Sequence, residues 1–179
     1  MAFYSNTSQG TVVHSADGWK HKILANDGTD LASTTLATQS ALSIPLAGYE
    51  RVMGKYTIWY DSDDTNELKF AIKNLDADAA AVATTIYTDV TARVEESTGA
   101  DTPAAANIEG TGTYSTDGAG EVVTIDVNAS TSGLFLGVEF NAIVTAATKG
   151  TLVFQAALIT GSASGTHLLA GSNVVYKKW

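Results

Sequence analysis

Hydrophobic and polar residues alternate with a period of two along most of the chain, which is the pattern of strands that bury one face. The alternation is most regular in residues 67–73, where Leu68, Phe70 and Ile72 share one face and Glu67 and Lys73 share the other. It recurs in residues 42–46, 52–60, 123–127, 134–140 and 152–158, and strand-forming patches occur at 11–13, 85–90 and 173–176. The pattern therefore predicts about eight or nine short strands.

Turn-forming residues separate these segments, for example Asn26-Asp27-Gly28 and Thr116-Asp117-Gly118. Short strands, polar turns and little helical periodicity predict an all-β antiparallel β-sandwich with little helix, and a jelly roll suits this length. Residues 76–83 are alanine-rich and fit either a helical turn or a loop. Residues 95–113 are mostly small and polar, and they predict a long exposed connection.

The 179 residues suit one domain. We expect residues 23–179 to form a single β-sandwich domain. Residues 1–22 are less regularly patterned, and they predict either an N-terminal arm that packs on a neighbouring molecule or a frayed end.

The charge of the chain argues against two classes of partner. Only 16% of the residues are charged, and the formal net charge is −9 with ten basic residues scattered along the chain. Nucleic acid and anionic membranes are bound by clustered Lys and Arg, so neither is expected as a partner. The chain has no cysteine, which excludes disulfides and thiolate chemistry. It shows no secretory signal and no apolar run of about 20 residues, so we expect synthesis in the cytoplasm and no membrane span.

Catalytic motifs are incomplete in this sequence. A hydrolase nucleophile elbow needs Gly-x-Ser-x-Gly, but Gly161-Ser162-Ala163-Ser164-Gly165 has alanine at the nucleophile position. Lys149-Gly150-Thr151 has the wrong order for a phosphate-binding loop. The three histidines, His14, His21 and His167, lack the spacing of a zinc protease. We therefore expect no enzymatic activity, no catalytic residues, no cofactor and no metal ligands.

An acidic run lies between two predicted strands and reads Asp61-Ser62-Asp63-Asp64-Thr65-Asn66-Glu67. Hard oxygen ligands at alternate positions are what Ca²⁺ prefers, but Asn66 replaces the glycine of an EF-hand loop and Ile72 replaces its last glutamate. Asp, Ser and Asn also favour turns through local backbone hydrogen bonds. The run predicts a solvated hairpin turn, with a calcium site as the alternative.

Aromatic residues supply the candidates for a binding surface. Four of them lie close together in sequence and fit a sugar-stacking platform: Tyr49, Tyr56, Trp59 and Tyr60. The alternation places Tyr56 and Tyr60 on the core face and Trp59 on the opposite face, so Trp59 is the better interface or ligand candidate. Trp19 and Trp179, near the two ends of the chain, are candidate anchors onto a neighbouring subunit.

Residues 150–179 have a distinctive pattern. Both faces of residues 150–158 are largely apolar, which predicts a central strand or one covered by a neighbouring subunit. Ala170-Gly171-Ser172 predicts either a close approach of two backbones or a bulge. The next strand follows directly at residues 173–176.

This segment also carries a family resemblance. It contains Gly150-Thr151-Leu152-Val153-Phe154-Gln155-Ala156-Ala157 and then Thr166-His167-Leu168-Leu169-Ala170-Gly171-Ser172-Asn173-Val174. The pattern resembles the C-terminal end of small β-sandwich structural proteins of tailed bacteriophages, in which an Ala-Gly-Ser strand closes the domain. Glu67-Leu68-Lys69-Phe70-Ala71-Ile72 resembles a strand near the middle of the same proteins.

The resemblance implies a non-enzymatic virion structural protein, most directly a head decoration or cement protein that binds and stabilises the assembled capsid shell. It implies a homo-oligomer, with a trimer favoured, that binds the major capsid protein or another virion protein. Affinity would come from buried area and multivalency. The alternative function is a receptor- or carbohydrate-binding module of a phage tail or fibre.

Overall fold

A computed structural model describes residues 4–7, 10–14, 17–62, 68–93, 110–115, 123–125, 131–158 and 166–179. In these ranges the chain forms antiparallel β-strands, one short 3-10 helix (Ser40–Leu42) and no α-helix. The strands in chain order are β1 (Tyr4–Thr7), β2 (Gly10–His14), β3 (Lys20–Ile23), β4 (Ala37–Thr38), β5 (Ile44–Leu46), β6 (Arg51–Ser62), β7 (Leu68–Leu75), β8 (Thr84–Arg93), β9 (Gly110–Ser115), β10 (Val123–Ile125), β11 (Thr131–Val144), β12 (Gly150–Leu158), β13 (His167–Leu168) and β14 (Asn173–Lys178).

The strands form two sheets. The larger sheet has the order β1-β2-β3-β14-β6-β11-β8-β9, and β13 also pairs with β6. The smaller sheet has the order β10-β7-β12-β4, and β5 also pairs with β12. The two antiparallel sheets confirm the predicted all-β sandwich, while its jelly-roll form stays a prediction.

The core lies between the inner faces of the two sheets. Tyr56 of β6 contacts Phe140 of its own sheet at 5.1 Å and Phe154 of the smaller sheet at 5.3 Å between ring centroids. The inward positions predicted from the alternation are buried wherever the structure describes their side chains: Val52, Tyr56, Ile58, Tyr60, Phe70, Ile72, Leu136, Val138, Phe140, Leu152, Phe154, Ala156 and Leu158. The period-two pattern therefore identified most of the core.

Strand β12 is central in the smaller sheet, as one of the two sequence alternatives predicted. It pairs with β7 along one side and with β4 and β5 along the other. Its outward residues Val153, Gln155 and Ala157 are also buried within the chain. The chain itself therefore covers both faces of β12, and no neighbouring subunit is needed to bury them.

The predictions for two connecting segments have different outcomes. Residues 76–83 form a loop, not a helical turn, because the Asp76 carboxylate accepts the backbone N–H groups of Asp78 and Ala80 and closes a tight turn. The predicted connection at residues 95–113 is wrong at its C-terminal end, since Gly110–Ser115 is a strand that pairs with β8. Residues 95–109 lie outside the described part.

The first strands extend the larger sheet at one edge. Strands β1 and β2 pair with each other, and β2 pairs with β3, so residues 4–7 and 10–14 lie beside the strand that begins at Lys20. Strand β3 in turn pairs with β14. The role of residues 1–22 as an arm on a neighbouring molecule stays a prediction.

Two lysines join the larger sheet to the segment that leads into the smaller one. Lys22 of β3 donates to the Ser43 carbonyl, and Lys178 of β14 donates to the Pro45 carbonyl and to the Glu50 carboxylate, the latter at 3.1 Å. Burial and the nearby Lys178 charge lower the pKa of Lys22. Burial and the Glu50 charge raise the pKa of Tyr176.

Alkaline pH is expected to unfold this protein. Burial raises the pKa of Tyr56 and of Tyr60, as it does for Tyr176, above the ordinary value of 10.0. Above pH 10 the unfolded state therefore loses these protons first, and the free energy of unfolding should fall by up to about 4 kcal/mol per pH unit. The lowered pKa of Lys22 acts in the opposite direction, because it makes stability rise with pH until the ordinary lysine value of 10.5 is passed.

Denaturant unfolding measured from pH 8 to pH 11.5 tests this expectation. Tyr56→Phe should reduce the slope above pH 10 by about 1.4 kcal/mol per pH unit, the share of one tyrosine. Tyr87→Phe is the matched control, because it removes the same hydroxyl group from an exposed ring. A stability that stays constant between pH 10 and pH 11 would contradict the expectation.

Candidate interface on the outer face of the larger sheet

All three tryptophans lie on one surface, the side of the larger sheet that faces away from the core, called the outer face below. In β6 the residues alternate, so that Trp59 points away from the core between the buried Ile58 and Tyr60. The backbone of Trp179 pairs with that of Arg51, which continues the β14–β6 register one residue past Lys178. Because Lys178 is on the inner side, Trp179 falls on the outer face. Trp19 precedes β3 and lines a groove on the same face.

The Trp59 ring packs against a second aromatic ring on the outer face. Phe135 of β11 is its direct partner across the strands, and the two ring centroids are 5.1 Å apart with a tilt of 59°. The Phe135 ring also lies over Gly137, where an added Cβ would come within 3.3 Å of it. The pair is favourable beyond the area it buries, because tilted aromatic rings attract through their quadrupoles. Trp59 nevertheless remains 36% exposed.

A break in the neighbouring strand fixes the backbone of Trp59. Strand β13 ends its pairing with β6 at Leu168–Tyr60, and β14 resumes it at Asn173–Thr57. Residues 169–172 therefore stand opposite only Ile58 and Trp59, which is the bulge that Ala170-Gly171-Ser172 predicted. The buried Ser172 hydroxyl accepts the Trp59 N–H and donates to the Trp59 carbonyl, both at 3.0 Å.

The same turn is held on its other side by the loop that follows β3. Leu24 donates to the Ser172 carbonyl and accepts the Gly171 N–H, while the Asp27 carboxylate accepts the Ala170 N–H at 2.8 Å. Gly171 has a φ of +92°, a conformation that side chains other than glycine rarely adopt. The turn is thus fixed between two segments distant in sequence.

A groove of about 400 Å³ lies beside this region on the outer face. Its lining residues are Trp19, Met53, Gly54, Lys55, Thr57, Glu139 and Val175. Met53 is 40% exposed, and further along the face Tyr87 is 49% exposed. Exposed Trp, Tyr and Met are the residue types enriched in protein interfaces, so this face is the candidate interface.

Charged side chains lie in and around the groove. Lys55 forms an ion pair with Glu139 at 3.2 Å, and both side chains are largely exposed. Arg51 and Lys177 also lie on this face by register, and no carboxylate among the described side chains is within ion-pair distance of either. Asp89 of β8 lies on this face opposite Glu139 by register, and the exposed Asp17 precedes Gly18, which lies near the Lys177 side chain, so the face carries charges of both signs.

The remaining aromatic candidates do not form a platform with Trp59. Tyr56 and Tyr60 are buried in the core, as their spacing predicted. Tyr49 is 69% exposed but lies in the turn before β6. The hydroxyl group of Tyr56 donates to the Leu42 carbonyl at 3.4 Å, so this side chain serves the core.

The structure describes only some of the residues considered as metal ligands or nucleophiles. Asp61 and Ser62 end β6, whereas Asp63, Asp64, Thr65, Asn66 and Glu67 lie outside the described residues, as do residues 161–165. His167 pairs with Asp30 at 3.4 Å, and His21 lies in β3 opposite Val175. The side chain of His14 is not among those described. In the described ranges no group of three or more His, Cys, Asp or Glu residues is placed to hold a metal ion.

Several residues of this face were not singled out in the sequence. Met53, Phe135, Tyr87 and Val175 fall on the outward positions of their strands, so the period that identified the core also contained them. The sequence signal for this face was a set of large apolar residues at the positions between the core residues of each strand. The role of Ser172 had no such signal, because it depends on the pairing of strands far apart in the chain.

Comparison of the sequence with protein-family models gives no match, and comparison with curated proteins gives none either. Among the described residues, no helix has the length and apolar character needed to cross a membrane.

Removal of the Ser172 hydroxyl should loosen Trp59. Ser172→Ala leaves the partly buried Trp59 N–H without its acceptor, and the free energy of unfolding should fall by about 1–3 kcal/mol. Denaturant unfolding gives this value, and the tryptophan emission spectrum reports the local change. Ser40→Ala is the control, because Ser40 is exposed and its loss should cost at most about 0.5 kcal/mol. Equal stability of the two variants would show that the hydroxyl has no such role.

Proposed function

We propose that this protein is a non-enzymatic virion structural protein, a head decoration or cement protein that binds and stabilises an assembled capsid shell through its outer face. The observation that carries the proposal is the placement of Trp19, Trp59 and Trp179 on one face of the larger sheet. The resemblance of residues 67–72 and 150–174 to phage β-sandwich structural proteins supports the virion location. The partner is the major capsid protein or another virion protein.

The strand order supports the jelly-roll form of the sandwich. Strands β3-β14-β6-β11 form one layer and β5-β12-β7-β10 the other. Among these eight, each strand passes to the other layer from the one before it, except that β10 pairs with β7 in the same layer, and the first and last of the eight, β3 and β14, are neighbours. Eight strands in two layers is the number of a jelly roll. In this view β8 and β9 are an added pair beside β11.

A rigid sandwich with an exposed sheet face suits attachment to a shell. Residues at a sheet face are fixed by backbone pairing on both sides, so little ordering entropy is lost on binding. A homo-oligomer, with a trimer favoured, would present several such faces and gain affinity by multivalency. The net charge of −9 would limit nonspecific association between copies and with nucleic acid.

Attachment to capsids assembled without this protein tests the proposal. Trp59→Ala and Trp19→Ala should each weaken attachment about 10-fold or more, because buried tryptophans dominate interface energies. Tyr49→Ala is the matched control, since it removes an exposed aromatic from the turn before β6. Wild-type attachment by all the tryptophan variants, Trp179→Ala included, would rule out the outer face as the docking surface.

A receptor- or carbohydrate-binding module of a phage tail or fibre is the second candidate. The groove beside Trp19 favours it, because indole rings stack on apolar faces of ligands and Thr57, Lys55 and Glu139 offer polar contacts. A glycan array probed with and without calcium distinguishes the two. Specific glycan binding that is lost in Trp19→Ala would favour the second candidate over the first.

A further inference from the structure

We infer that the edge strand β1 is a contact between two copies of this chain, in which β1 of one copy pairs antiparallel with β1 of the other about a two-fold axis. The larger sheets of the two copies then form one continuous sheet. This inference goes beyond the proposed function, because it concerns the edge of the larger sheet and not its outer face. A two-fold contact closes after two copies, so it joins pairs and does not by itself build a trimer.

Strand β1 is the last strand of the larger sheet in the described part of the chain. It pairs with β2 on one side, and none of the other described strands pairs with it. On its other side, the backbone N–H and C=O groups of Tyr4–Thr7 therefore have no strand partner among the described strands. Such an edge is a template on which another strand can pair.

The outer strand β5 of the smaller sheet has features that block strand pairing, whereas β1 does not. Strand β5 contains Pro45, and the Pro45 carbonyl accepts a hydrogen bond from Lys178. The Ser43 carbonyl, just before β5, accepts one from Lys22. Residues 1–16 contain no Asp, Glu, Lys, Arg or Pro. Because charged residues and prolines are the usual means of blocking an edge, β1 is the edge of the two that can pair with another chain.

The position of β1 leaves room for a second copy. Lys22 of β3 contacts the segment just before β5, so β3 lies at the side of the sandwich where the smaller sheet ends. Strands β2 and β1 continue the larger sheet beyond β3, by about 10 Å at the usual spacing of about 4.8 Å between strands. The described strands of the smaller sheet therefore stop short of β1.

The register of β1 with β2 shows which backbone groups face the free edge. Thr7 pairs with Gly10, and with only two residues between them in sequence this flanking pair exchanges both of its hydrogen bonds. Alternation along β1 then directs the N–H groups of Tyr4 and Asn6 toward the free edge. About a two-fold axis at Ser5, Asn6 of each copy lies opposite Tyr4 of the other, and the two strands share about four backbone hydrogen bonds.

Pairing through β1 leaves both outer faces on the same side of the joined sheet. The two-fold axis of an antiparallel strand pair is perpendicular to the sheet, so neither copy is turned over. Two copies joined in this way can contact one surface with both outer faces. The pair therefore also offers a route to multivalent attachment.

The contact is expected to be weak in solution. Four residues from each copy bury much less than the about 1,200 Å² of a small stable interface, so pairing should depend on protein concentration. Each copy also carries a net charge of −9, and the repulsion between copies opposes pairing. Because β1 itself has no charged side chain, added salt should strengthen the contact by screening that repulsion.

Sedimentation velocity and NMR amide exchange on the full chain test this inference. Pairs should form as the protein concentration rises about a hundredfold to about 1 mM, and they should form at lower concentration in about 500 mM than in about 50 mM NaCl. The amides of Tyr4 and Asn6 should exchange at least about tenfold more slowly in the concentrated sample, because pairing places them in hydrogen bonds. The amides of Ser5 and Thr7, which face β2, should change less than about twofold.

Two variants at one position separate the backbone contact from other effects. Asn6→Pro removes the N–H on the free edge, and an edge strand tolerates proline where the N–H faces away from the sheet. It should abolish pairing while the Ser5 and Thr7 amides stay protected, which shows that β1 still pairs with β2. Asn6→Ala removes the same side chain but keeps the N–H, so it should pair as the wild type does. If Asn6→Pro detaches β1, the wild-type exchange rates of Tyr4 and Asn6 decide.

Three results would overturn the inference. The first is a wild-type mass that stays constant up to about 1 mM with unchanged Tyr4 and Asn6 exchange. The second is equal pairing by Asn6→Pro and Asn6→Ala while β1 stays paired with β2. The third is a wild-type mass that grows beyond twice that of Asn6→Pro, because a head-to-tail contact of β1 with the opposite edge strand β9 continues past two copies.

The proposed function and this inference can fail separately. Capsid attachment by a chain that shows no pairing in solution keeps the proposed function and overturns the inference. Pairing that Asn6→Pro abolishes, in a chain that does not attach to capsids, keeps the inference and overturns the proposed function.

Discussion

Strand β6 supplies core residues from one face and outer-face residues from the other, so the whole arrangement depends on its register. Tyr56 and Ile58 are buried, while Thr57 and Trp59 point outward. A slip of one residue would exchange the two sets, because side chains alternate strictly along a strand. The register is fixed by β11 on one side and by β14 and β13 on the other. The contact of Tyr56 with Phe154 in the smaller sheet favours the same register from across the core.

The one interruption in this pairing has a structural consequence at Trp59. Between β13 and β14 the neighbouring chain leaves the register of β6. There the Ser172 hydroxyl accepts the Trp59 N–H, and the Trp59 carbonyl accepts both the Ser172 hydroxyl and the Leu169 N–H. Ala170 and Gly171 occupy the turn, and neither has a side chain long enough to cover an indole ring. The bulge thus keeps the backbone of Trp59 satisfied while it leaves the ring accessible on that side.

Most of the fold followed from the sequence, whereas the assembly of the site did not. Alternation fixed the inward residues of β6, β11 and β12, because burial on one face imposes a period of two on any such strand. It also placed Trp59 on the outer side. It could not show that Trp19, Trp59 and Trp179 share one face, since that depends on β14 pairing with both β3 and β6. The strand Gly110–Ser115 was missed because its sequence is mostly Gly, Thr and Ser and has no alternating hydrophobic pattern.

The outer face carries charges of both signs, so charge alone does not make it adhesive. Lys55 pairs with Glu139, and Asp89 lies opposite Glu139 by register. Such surface charges are screened beyond about 8–10 Å at physiological salt, and they orient a partner more than they strengthen its binding. The exposed apolar side chains of this face, Met53 and Trp59 among them, must therefore supply most of the affinity of any contact made here.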